Sequence, residues 1–177
     1  MGEARVTRHP TPGAFLAGVV DPGLDWVRLH TGISSGRAAA RRFLLAVAIQ
    51  ETGLAARAQA VAGDAARAGP ARGWWQFEAP TIGLLLRHPA SSQPLRAMCA
   101  AAWVRPEPDD IWRAIEGHDL LALGVARLLL LTDPFDIPAD EAAAWQCYAA
   151  RLWRPGKPHP DRWPAAWRAA VAATVPY

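Results

Sequence analysis

The sequence predicts an all-α fold, with at most a small hairpin, organised as one domain over residues 1–177. Long alanine- and leucine-rich segments dominate, alternating apolar–polar patterns are almost absent, and prolines fall between the segments, where helices should end. A chain of 177 residues can bury a real core but is too short for two generous domains. No internal repeat or low-complexity linker divides it.

The elements follow in order. A helix is expected from about Ser35, a serine cap, to Thr52, with Gly53 as its stop. Between Gly53 and Pro80 the pattern lapses into Gly63, Asp64, Gly69, Pro70 and Gly73, which reads as a long irregular loop with room for a hairpin; loops of that length inside a compact domain are usually functional. Further helices are expected over Pro80 to Leu86, Ser92 to Val104, Asp109 to Glu116, Asp119 to Leu131, Ala139 to Trp153 and Asp161 to Ala173. Asp119 to Leu131 is apolar nearly all round, so it is the expected central helix. Asp109 and Asp110 are expected to cap the helix that carries Ile111 and Trp112.

Composition removes several function classes. Apolar residues make up 51% and charged residues 20%, which places the chain among folding sequences rather than disordered ones. The longest apolar run, Leu120 to Leu131, is interrupted by Arg127 and falls short of the roughly 20 residues that a spanning helix needs, so no membrane insertion is expected. Residues Met1 to Val20 do not read as a signal peptide, so the expectation is a protein without an export signal. The net charge is +3, and all but one of the basic residues are arginine, spread along the chain without a polybasic block. Nucleic acid is therefore not an expected partner, whereas a weakly cationic surface suits an anionic polymer such as a cell wall. Cys99 and Cys147 are too few for a zinc site or a disulfide scaffold and are expected as buried thiols. The five histidines are scattered without metal-ligand spacing, and neither a phosphate-binding loop nor a Gly-x-Ser-x-Gly turn occurs; no metal and no cofactor are expected.

Two segments can carry chemistry. Glu51 ends the strongly hydrophobic run Phe43 to Gly53 and shares a helix face with Leu44 and Val47. Burial and the negative end of the helix dipole both raise the pKa of a carboxyl placed there, as a general acid near neutral pH requires; the alternative is a surface glutamate in a fraying last turn. The second segment is Gly69-Pro70-Ala71-Arg72-Gly73-Trp74-Trp75-Gln76-Phe77-Glu78. Aromatic faces beside an amide and a carboxylate suit sugars, with Trp74 and Trp75 stacking on a pyranose and Gln76 and Glu78 satisfying its polar groups. Core anchoring of the loop by Trp74, Trp75 and Phe77 is the other reading of the same residues. Arg154 to Pro160 is a rigid cationic stretch, readable as a grip on an acidic polymer or as a plain surface loop.

Together these pieces resemble the lysozyme-like superfamily, especially lytic transglycosylases and related phage wall-degrading proteins. Glu51-Thr52-Gly53 is similar to the family's catalytic Glu at a helix end, and Ala71 to Gln76 to its Gly-Leu-Met-Gln motif, with Trp74-Trp75 in place of Leu-Met and a longer interval between the two. Trp145-Gln146-Cys147-Tyr148 looks like the family's later helix bearing a tyrosine near the site. The resemblance spans roughly Ala38 to Pro158, and about twenty residues carry it.

The resemblance implies a single lysozyme-like domain that cleaves the bond between N-acetylmuramic acid and N-acetylglucosamine in peptidoglycan. Glu51 would be the general acid and base, and Trp74, Trp75, Gln76, Glu78 and Tyr148 would bind substrate. Tyr148 is also readable as core, its hydroxyl holding either Glu51 or an N-acetyl group. Should water be the nucleophile, Glu78, Asp64 and Asp109 are the candidate second carboxylates, Glu78 first. The resemblance further implies a phage or prophage origin. Other virion proteins are then further partners, and the protein is virion-associated or held in the host cytoplasm before reaching the periplasm or wall. A different class stays open beside it, a catalytically silent virion or glycan-binding protein that kept the fold. An arginine-rich DNA-binding protein is a third reading, weighed against by the lack of a basic cluster.

Overall fold

A computed structural model describes residues 9–34, 36–61 and 64–175, with the side chains of 59–61 and 64–68 left out. Helices dominate: α1 (Pro12–Phe15) runs through a π turn (Leu16–Val20) into α2 (Asp21–Thr31), and α3 (Arg37–Thr52) follows. A two-stranded antiparallel hairpin comes next, β1 (Ala58–Val61) with β2 (Asp64–Arg72), Ala58 pairing with Arg72 and Ala60 with Ala68. Then come α4 (Ala79–Arg87), α5 (Ser92–Ala101), α6 (Pro108–Ala114), α7 (Asp119–Leu131), α8 (Glu141–Gln146) continuing as a second π turn (Cys147–Leu152), and α9 (Trp163–Thr174).

The all-α expectation and its small hairpin agree with this architecture. Helix α7 has the expected bounds and the expected place: Leu121 to Leu130 are all buried, and α2, α3, α4, α5 and the first π turn pack on it. Close approach of α2 is made possible by Gly23, where a Cβ would sit 2.7 Å from Leu123 Cδ2 and 2.9 Å from its Cβ. Among the described residues no helix is long and apolar enough to cross a membrane. Cys99 and Cys147 are free, buried thiols.

Three expectations need correction. The helical run Pro12–Thr31 has no counterpart among the helices expected from the sequence. Pro12 occupies a first-turn position, where a proline's missing N–H costs nothing, Thr11 caps α1 by accepting from Ala14 N, and Pro22 lies where the π turn passes into α2. Glu107 precedes helix α6 without a side-chain cap bond, with Pro108 at its start; Asp109 and Asp110 lie in the first turn, where Asp110 pairs with Arg105 and Arg113. The long helix expected up to Trp153 changes to π geometry at Cys147. Ser35, the expected cap of α3, lies outside the described residues, and Gly36 in the left-handed region precedes the helix.

A candidate active-site cleft

Helix α3 is buried along Phe43 to Ala48, so its last turn emerges from the core rather than from solvent. Its end is sharply defined. Gly53 adopts φ +58° and donates to Ile49 O at 2.8 Å, Thr52 Oγ1 donates to Ala48 O and accepts from Leu54 N, and the chain turns away immediately after Glu51. Glu51 thereby lines a cleft of about 1690 Å³. Burial pushes its pKa up to about 7, against the opposing effect of a hydrogen bond from Tyr148.

That bond ties the two parts of the site together. Tyr148 lies in the second π turn, is 2% exposed, and donates from its hydroxyl to Glu51 Oε1 at 2.9 Å. Its ring is stacked on Trp163 of α9, centroids 5.2 Å apart and planes within 5°. Burial of the phenol and the neighbouring Glu51 carboxyl both raise the Tyr148 pKa, so it stays a donor. π turns of this kind recur where a side chain must be re-aimed.

The sequence-predicted residues separate into two groups. Glu51, Gln76 and Glu78 line the cleft. Gln76 sits at φ +51° in the tight turn closed by the reciprocal Arg72–Phe77 backbone bonds, and its side-chain amide donates to Gly73 O at 2.9 Å. Glu78 is exposed at the start of α4.

Trp74 and Trp75, expected as a sugar-stacking surface, do not line the cleft; they are core. The indole of Trp75 is fully buried and donates to Leu44 O of α3 at 2.9 Å, while its own carbonyl accepts from Trp153 Nε1 at 3.0 Å. Trp74 donates to Asp119 Oδ1 at 3.0 Å, with the Arg57 guanidinium 4.7 Å over its ring. The physical reason is area: a large ring next to a hydrophobic helix is stabilised more by burial than by exposure to water, and the indole N–H finds a carbonyl or carboxylate partner there. The pair braces the loop against α3 and α7.

Of the candidate second carboxylates, Asp109 is exposed on α6 away from the cleft lining, and the Asp64 side chain lies outside the described residues. The sequence reading missed Asp133. It lies just beyond α7, lines the cleft, is 4% exposed at its side chain, and accepts from Arg151 Nε at 2.9 Å and from the Cys147 thiol at 3.5 Å. Leu84 of α4 and Phe135, 57% and 64% exposed, face the cleft from its walls and were also missed. Only the Asp-Pro-Phe break after the long apolar helix hints at this wall. Among the described residues no group of acidic, histidine or cysteine side chains could hold a metal ion.

Comparison of the chain with protein-family profiles, curated proteins and solved structures gives no match.

Proposed function

We propose that this chain cleaves peptidoglycan glycan strands between N-acetylmuramic acid and N-acetylglucosamine, with Glu51 as the general acid. One observation carries the reading: a carboxyl with its pKa raised to about 7 by burial, hydrogen-bonded by the buried Tyr148 hydroxyl, on a residue lining an open cleft. Such a group holds a proton at neutral pH in a sizeable fraction of molecules and can give it up. The helix-end Glu51-Thr52-Gly53 and its resemblance to the lysozyme-like superfamily add the substrate class.

In a lytic transglycosylase reaction, one of two routes open to such a cleft, the other being hydrolysis by water, the Glu51 proton passes to the glycosidic oxygen as the bond from that oxygen to the muramic C1 breaks. The Glu51 carboxylate so formed then takes the proton of the muramic 6-hydroxyl as its oxygen bonds to C1, closing a 1,6-anhydro ring and restoring the acid. This sequence uses a single carboxylate, whereas most glycosidases use a pair. Tyr148 positions the carboxyl throughout.

Zymography on purified cell walls with wild type and Glu51→Gln tests the reading. Clearing by wild type and its loss by a factor of about 10³ or more in the variant is expected. Equal clearing by both removes Glu51 from the reaction, and clearing by neither leaves a glycan-binding protein without activity.

A further inference from the structure

The cleft has one wall whose chemistry the cleavage step does not use. Residues 154–160 follow the second π turn, and Arg154, Pro155, Gly156, Lys157 and His159 all line the cleft. This stretch is fastened at both ends. At its start Arg154 is held at φ +44°, a conformation disfavoured for a side-chain-bearing residue, while its N–H and that of Trp153 both donate to Tyr148 O at 3.1 and 3.0 Å. The Trp153 indole is anchored on Trp75 O. Near its end, Gln50 Nε2 of α3 donates to His159 O at 3.0 Å, so the residue beside Glu51 holds the loop's far side. Pro155, Pro158 and Pro160 stiffen the span between.

On this fixed loop Arg154 and Lys157 are exposed, and among the described residues neither has an acidic partner within ion-pair distance. They differ in this from Arg151, whose charge is taken by Asp133. Helix α4 adds Arg87 to the same lining, against one carboxylate without an ion-pair partner among the described residues, Glu78. Two cations carried on a fastened backbone, lining the same cleft as Glu51 together with the apolar Leu84 and Phe135, match a polymer that is apolar in part and carries anions at intervals.

We infer that the 154–160 loop is an anion-recognition wall, in which Arg154 and Lys157 bind the anionic substituents of a glycan strand lying in the cleft. The inference rests on the reading that the cleft takes a glycan strand. It selects strands that carry charge over neutral ones of the same sugar, through carboxylates of peptide stems or phosphates of attached polymers.

Co-sedimentation of the intact protein in the cold tests it, using purified sacculi, sacculi stripped of peptide stems, sacculi stripped of phosphate polymers, and chitin as the neutral glycan. Expected are retention on native sacculi about tenfold above chitin, weakened by salt, and loss of that preference in Arg154→Gln/Lys157→Gln. The charge-keeping Arg154→Lys/Lys157→Arg should restore it, which separates lost charge from lost folding. The stripped sample that loses retention identifies the anion. Equal retention on chitin and native sacculi, or an unchanged preference in a folded double-Gln variant, overturns the inference, as does tighter binding to duplex DNA than to sacculi. Absence of released muropeptides from wild type would sink the cleavage reading alone, because retention is scored without turnover.

Discussion

Burial and Tyr148 act on Glu51 in opposite senses, burial raising its pKa and the phenol's hydrogen bond lowering it. Tyr148→Phe removes only the second influence. The Glu51 pKa is then expected above about 7, and the alkaline limb of the activity profile should move to higher pH; a limb that stays in place would mean the hydroxyl does not reach the carboxyl in solution. The same shift predicts a pH-dependent stability. Unfolded, the carboxyl titrates near 4.5, and folded near 7. Between these values the native state keeps a proton that the unfolded chain has lost, so the stabilisation is full below about 4.5, falls as pH rises, and is gone above about 7. Urea unfolding of wild type and Glu51→Gln in acid and in mild alkali should show wild type losing about 1–3 kcal/mol relative to the variant across that range.

Helix α2 meets α7 at Gly23, where the backbone lies too near Leu123 to admit a methyl group. Gly23→Ala is expected to force the helices apart and to lower stability by about 1–3 kcal/mol, despite alanine's better helix propensity; a raised melting temperature would show that Leu123 yields easily. At this scale legibility was uneven for definable reasons. Helices α3 and α7 were readable because a left-handed glycine ends one and a largely apolar run, interrupted by Arg127, fills the other. The α1–α2 run was hidden because Gly18, Pro22 and Gly23 lie inside it, in the π turn and at its junction with α2, and such residues ordinarily mark the end of a helix. The raised pKa of Glu51 was legible from its place on a buried helix face, burial being the influence that raises it. The partition of the tryptophans did not, since the same indole serves a sugar or a core and only packing chooses. Pairing of Asp133 with Arg151 joins elements 18 residues apart, with no local pattern to signal it.

For the molecule as a whole, the buried residues form one cluster that includes side chains from α1 through α9 and from the loop of Trp74, Trp75 and Phe77. Nine tryptophans, several of them inside that cluster, give a sensitive report on it. Tryptophan fluorescence and far-UV circular dichroism are expected to follow one coincident urea transition; separate midpoints would reveal two independently unfolding parts. The ring sequence through that cluster reaches further than packing. Trp167 stacks on Trp163, Trp163 lies flat on Tyr148, and Tyr148 grips Glu51. The Glu51 carboxyl is thus seated, through Tyr148, on α9, although that helix contributes no atom to the cleft. Trimming α9, or fusing a bulky partner close to it, would be felt at the Glu51 carboxyl before it was felt elsewhere along the cleft.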